Sequence, residues 1–194
     1  IEYGKVNIRE AANYLISNIG NKISLRKIQN QFGFGSPSTA KKLMDTFTRS
    51  YLLFFISLYS SSYKKQLANP QKTYCVDTGM ANNVAFKLSK NRGQLIENLV
   101  FTELRRRYPE IYYFKNKGEM DFVVVEKNKP VQAIQVCAHI SEENIAREEN
   151  GLIEALEELK IDEGKIITME DNKTKKVGKK TIQYVPLWKW LLGK

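Results

Sequence analysis

The chain has 194 residues, 42% of them apolar, and a formal net charge of +10, which is material for one ordinary domain or two small ones with cores of their own. Its longest apolar run, 51–59 (YLLFFISLY), is too short to span a bilayer, and no signal-peptide pattern opens the sequence. The two cysteines, Cys75 and Cys137, sit in strand-like apolar runs without CxxC spacing, which argues against a disulfide framework or a zinc site and fits a reducing cytoplasm.

The charge is lopsided. Residues 1–90 hold 13 Lys and Arg against 4 Asp and Glu, whereas residues 91–194 hold 18 against 17. Nearly all the excess lies in the first half, as expected of a module that contacts phosphates. The chain opens on Ile1 rather than Met and is expected to be a piece of a longer polypeptide.

Taken in order, 7–18 (NIREAANYLISN) repeats apolar residues at helical spacing and predicts a helix ending at Gly20. Ser24 precedes a short second helix, LRKIQNQFG, and 33–37 makes a turn. Ser36 followed by Pro37 is an N-cap and first-turn pair for a third helix running to Tyr51. The apolar run 51–59 is a strand, the Ser-rich basic stretch 59–72 a loop, and TYCVD a returning strand. Three helices and a two-stranded hairpin predict a winged helix, a variant of the helix-turn-helix family. Its third helix would be the reader, with Ser38, Lys41, Lys42, Asp45 and Arg49 opposite Ala40, Leu43, Met44 and Phe47. Lys64 and Lys65 on the hairpin would clamp phosphates beside Tyr63. The alternative is a winged helix that contacts protein, its basic side chains serving solvation.

A bridging helix is expected over 77–86, capped by Asp77 or Thr78, and the polar stretch 87–92 marks a boundary between a domain over 1–88 and one over 89–194. The second begins with a helix, 91–108, whose apolar face includes a carboxylate, Glu97. Three extended segments follow, 111–115, 119–126 and 130–139. Period-2 alternation puts Glu119 with Asp121, and Gln135 with Cys137 and His139. An acidic helix over 141–160, a strand over 164–169, an exposed basic loop over 171–180, a last strand from Thr181 and a short apolar helix packed down by Trp188 and Trp190 complete the chain.

A helical Glu, an Asp on one strand and two polar positions one residue apart on the next strand resemble the layout of PD-(D/E)xK nuclease-like domains. More narrowly, YCVDTGM (74–80), GQLIENLVFTELRRR (93–107), EIYYFKNKGEMDFVVV (110–125) and AIQVC (133–137) resemble the C-terminal region of prokaryotic AAA-type ATPases, in which a winged helix precedes a nuclease-like domain of undefined function. The resemblance implies a mixed α/β chain whose second half has a restriction-endonuclease-like α-β-β-β-α-β order. It implies a site at Glu97, Asp121, Gln135 and Cys137, with Mg²⁺ or Mn²⁺ on Glu97 and Asp121 if the nuclease works. No G-x-x-x-x-G-K-[ST] occurs, so any ATP site would lie in an upstream ATPase domain of the same polypeptide. DNA is the expected partner, no membrane role is implied, and a homo-oligomer is compatible.

The sequence departs from the nuclease pattern where chemistry is decided. Gln135 and Cys137 stand where an acid and a lysine belong, so a metal ligand and the cation beside the attacked phosphate are both replaced. A working enzyme would need Lys115 or Lys117 to supply that cation. A Zn²⁺ site on Cys137, His139 and Asp121 is a weaker alternative with too few ligands. The favoured expectation is a nucleic-acid-binding region with a silent nuclease-like domain. The others are an active endonuclease and a protein-binding module. With His139 the only histidine and no GxSxG present, no hydrolytic triad is implied.

Overall fold

The computed structural model describes residues 7–85 and 92–193, and these form a mixed α/β protein. The chain divides into two compact units, 1–102 and 103–194.

In the first unit, α1 (Ile8–Ile16) is opened by Asn7, whose side chain accepts from the Arg9 amide. Ser24 caps α2 (Leu25–Phe32) through the Lys27 amide, and Gly33 ends it at φ +63°, a left-handed conformation that favours glycine. Pro37 opens α3 (Pro37–Arg49) as expected, but the Ser36 hydroxyl meets those of Ser38 and Thr39 instead of capping a backbone amide. A brief β1 (Lys22–Ile23), unannounced by any alternation, joins β2 (Leu53–Ile56) and β3 (Gln71–Cys75) in an antiparallel sheet of order β1-β3-β2. The core beneath them contains Ala11, Leu15, Ile28, Ala40, Leu43, Phe47 and Leu53.

The expected loop over 59–72 is corrected by α4 (Tyr63–Ala68), so Lys64 and Lys65 lie on a helix. Ser62 caps it through the Lys65 amide, no Pro or Gly interrupts YKKQLA, and Pro70 follows its end. Asp77 caps α5 (Thr78–Ala85) by accepting from the Met80 amide. The expected boundary at 87–92 lies, apart from Arg92, outside the described residues. The division between units falls within α6 (Arg92–Arg107).

The second unit is a six-stranded sheet of order β4-β5-β6-β7-β9-β8. Antiparallel β4 (Glu110–Lys115), β5 (Glu119–Glu126) and β6 (Lys129–Val136) come first, with Lys127 and Asn128 at positive φ in the tight turn between the last two. α7 (Ile145–Leu159) then carries the chain to β7 (Glu163–Thr168), parallel to β6, and packs on the sheet through Leu152, Ala155 and Leu156. α7 starts four residues later than the acidic pattern suggests, because Asn144 turns its side chain back onto Ser141 and His139.

The expected basic loop over 171–180 is corrected too. It contains an edge strand, β8 (Lys173–Val177), paired antiparallel to β9 (Lys180–Pro186). Lysines on an edge strand repel further strands, and an all-polar run hides the alternation that would announce it. The last helix, α8 (Leu187–Leu191), buries Trp190, but Trp188 is 59% exposed and does not pack it down.

Candidate functional site

The β5–β6 ladder brings two of the expected residues together. Phe122 pairs with Ile134, so the next step places Asp121 beside Gln135. There the side chains take over from the ladder. The Asp121 amide donates to Gln135 Oε1 at 3.1 Å, and the Val136 amide donates to Asp121 Oδ2 at 2.9 Å. Both residues are buried, at 6% and 8% exposure.

The third member, Glu148, comes from α7. Gln135 Nε2 donates to its Oε2 at 2.5 Å, and the Arg147 guanidinium holds its Oε1. A signal for Glu148 was present: it and Glu149 fall between Ile145 and Leu152 on the apolar stripe of the helix, where a carboxylate needs a partner. Glu149 forms a separate knot, accepting from Lys175 at 2.9 and 2.6 Å and from the Tyr184 hydroxyl, with Lys173 4.6 Å from the centre of the Tyr184 ring. Burial pushes the Glu149 carboxyl up, but the Lys175 and Tyr184 hydrogen bonds outweigh it and hold the group below its ordinary range. Burial, then the Glu149 contact, raises the Tyr184 phenol.

Cys137 lies just past β6, its thiol donating to the His139 carbonyl. Burial, followed by the negative charge of Glu148, pushes it up to about 11, away from thiolate or metal-ligand chemistry. His139 is exposed beyond the strand rather than aligned with Gln135. Glu119 is an exposed residue at the start of β5, whereas Asp121 is buried. Lys115 stands opposite Glu119 at the end of β4, and the Lys117 amide is taken by Glu154.

Glu97 belongs to the first unit. Its Oε1 accepts from Lys72 Nζ at 3.0 Å and from the Tyr74 hydroxyl at 2.7 Å, with Lys72 only 3% exposed. The neighbouring Asn98, which sequence reasoning passed over, accepts from the Cys75 amide and donates to the Cys75 carbonyl. Glu97 and Asn98 thus strap α6 to β3.

Among the described residues, no group of three or more His, Cys, Asp and Glu is placed to hold a metal ion. The orientation of Gln135 explains why the Asp121 set does not fit a divalent cation. A backbone amide can only donate, so Oε1 must face Asp121 N and the NH₂ must face Glu148. A donor points at the carboxylate where a nuclease would offer an anionic oxygen.

In the first unit, Ser38, Lys41, Lys42 and Arg49 are exposed on α3, opposite buried Ala40, Leu43, Met44 and Phe47. Lys41 pairs with Asp45 at 2.6 Å. On α4, Lys64 and Lys65 are exposed alongside Tyr63 and Leu67, at 71% and 66%.

The class these features define is a mixed α/β protein of two units in which, among the described residues, no helix is long and apolar enough to cross a membrane. The chain belongs to the family described as Domain of unknown function (DUF4143), whose model matches residues 92–190. Residues 3–92 match a second, Domain of unknown function (DUF8612). Among curated proteins it is similar to "Uncharacterized protein MJ1544" of Methanocaldococcus jannaschii, with 35% identity over 200 residues covering 95% of this chain and 44% of that protein. It is also similar to an uncharacterized protein of Haemophilus influenzae, with 28% identity over 134 residues covering 66% of this chain and 33% of that one. The chain therefore spans less than half the length of either relative. No solved structure matches it.

Proposed function

We propose that this chain is the nucleic-acid-binding C-terminal region of an AAA-type ATPase, its first unit a winged helix and its second a restriction-endonuclease-like domain whose catalysis has lapsed. The ATP site would lie in an upstream domain, and DNA is the intended partner. The observation that carries the reading is the exposed basic face of α3, Ser38, Lys41, Lys42 and Arg49, facing solvent in the same unit as Lys64 and Lys65 on α4. Helix, short strand, two helices and an antiparallel strand pair, here with α4 between the paired strands, supports the winged-helix reading, in which the third helix enters the major groove and the strand-pair side holds the backbone. The neutral, donor-bearing Gln135 supports the loss of cleavage.

Fluorescence anisotropy on labelled duplex DNA over a salt series tests it. Binding should weaken steeply with salt, and Lys42→Glu with Lys65→Glu should weaken it further, each lost phosphate contact reducing the log–log salt slope by about 0.9. Supercoiled plasmid with Mg²⁺ or Mn²⁺ should remain uncut. Metal-dependent nicking abolished by Asp121→Ala would instead make the protein an endonuclease. Absence of binding at moderate salt would leave a protein-binding module, including one that pairs with its own copies.

A further inference from the structure

Between α2 and α4, inside the first unit, runs a groove of about 550 Å³. We infer that it receives an unpaired nucleotide of a nucleic-acid strand, so that the favoured ligand is DNA with a single-stranded tail or junction rather than an intact duplex; this rests on the nucleic-acid reading above.

Charge complementarity is the first argument. Among the described residues no Asp or Glu lines the groove, whereas Arg26 and Lys41 do. Lys41 is shared with Asp45, but that pair is about half exposed on both sides, and such pairs exchange readily for a phosphate.

The second argument is the kind of polar group present. Four carboxamides line the groove, Gln29, Gln66, Asn69 and Gln71. Three have their NH₂ ends engaged. Gln66 donates to the Ser60 carbonyl at 2.7 Å, Asn69 to the Lys65 carbonyl at 2.7 Å, and Gln71 to the Ser57 hydroxyl at 3.0 Å. With the NH₂ ends turned to the protein, the amide oxygens are the groups these side chains can turn to a guest, and acceptors suit the amino and ring N–H donors of base edges. In a duplex the ring N–H donors and one hydrogen of each amino group are already paired. Only an unstacked, unpaired base can offer them, and it also brings a flat apolar face for which Leu67, 66% exposed, supplies surface.

Size is the third. A few hundred cubic ångströms suits a small-molecule-sized guest such as one or two nucleotides, which a paired double helix cannot become without opening.

The test measures the affinity of the chain for three labelled ligands: a blunt duplex and the same duplex with a short unpaired tail at either the 3′ or the 5′ end. One tailed form should bind about tenfold more tightly than the blunt one, the gain expected of one stacked base. Ala68→Trp, which adds bulk at an exposed groove position, and Gln29→Ala should each bring the tailed-to-blunt ratio toward one. Equal affinity for all three ligands overturns this inference while leaving duplex binding in place. Failure of all three to bind overturns both. A preference that survives both substitutions places the tail elsewhere and overturns the groove, as does tight binding of free nucleoside monophosphate without any effect of tails.

Discussion

The sharpest test of how the second unit is built is Gly151→Ala. Gly151 sits in the middle of α7, where alanine ordinarily stabilises a helix by roughly 1 kcal/mol. Here a Cβ would lie 2.7 Å from the Glu119 carbonyl oxygen, and one on Gly118 would lie 2.7 Å from the Gly151 Cα. Both obstacles are backbone and cannot swing aside as a side chain could, so α7 or the start of β5 must retreat. Overpacking of this kind costs about 1–3 kcal/mol, and with main chain on both sides the upper end applies. Subtracting the propensity gain leaves a net loss of about 2 kcal/mol. Glu148 is one turn before Gly151, so the same retreat loosens its hold on Gln135. Both tryptophans of the chain, Trp188 and Trp190, lie in this unit, so urea unfolding followed by Trp fluorescence reports on it directly. A Gly151→Ala protein more stable than the wild type, with an unchanged m-value, would refute the close approach of helix and strand.

Other consequences follow from the buried charges. Glu97→Ala removes an acceptor shared by the buried Lys72 ammonium and the Tyr74 hydroxyl, and losing a hydrogen bond to a charged group costs about 1.5–3 kcal/mol. Lys72→Met added to Glu97→Leu should restore much of the loss in thermal unfolding, and a Glu97→Ala protein that melts with the wild type would show that the strap does not matter. For Glu149 the folded carboxyl lies below its unfolded value, so its stabilising share is fully present above the ordinary carboxylate range. That share disappears as pH falls through the lowered folded value. Glu149→Gln should flatten the acid side of a urea-midpoint profile taken from neutral pH downward, and a constant offset between the two proteins at every pH would contradict the sign.

Most helices were legible in the sequence because they carry apolar stripes, and Ser24 opens α2 as expected, whereas α1 stops at Ile16 instead of running on to Gly20. Apart from α4, a short helix with a local Ser62 cap inside a Ser-rich polar stretch, what escaped was decided by partners distant in the chain. β1 is two residues long and exists because β3 offers it a ladder. β8 reads as a solvated loop, yet it pairs with β9 because its backbone, not its lysine side chains, meets the sheet. At the site, Asp121 and Gln135 were recognisable from strand order, but Glu148 required noticing an acid on an apolar stripe. For Glu97 the sequence showed that a partner was needed, and tertiary structure supplied Lys72 and Tyr74 from β3. Trp188 shows the limit of counting aromatic residues as anchors: of two tryptophans on one short helix, only Trp190 faces the core.

Gln135 is where these threads meet, and changing it to Glu isolates its role. In the wild type its NH₂ bridges to Glu148 and its oxygen receives the Asp121 amide, so one neutral group satisfies an acceptor on one side and a donor on the other. A carboxylate there keeps the second bond but sets an oxygen against Glu148 where a hydrogen bond stood. Two like charges about 4 Å apart repel by roughly 4 kcal/mol at an effective dielectric of 20. Arg147 already pairs with the other oxygen of Glu148 and offsets part of this. Gln135→Glu should therefore destabilise the second unit at neutral pH. The penalty should fade on acidification, because protonating either carboxyl restores a donor between them, which raises the folded-state affinity for that proton above the unfolded one. Added Mn²⁺ should recover stability in the variant more than in the wild type, since only the variant offers an anionic oxygen at this position for a hard cation. If Gln135→Glu unfolds at the wild-type urea concentration at both pH 7 and pH 4, the amide is not the bridge between those carboxylates, and the reading of a silenced site loses its physical basis.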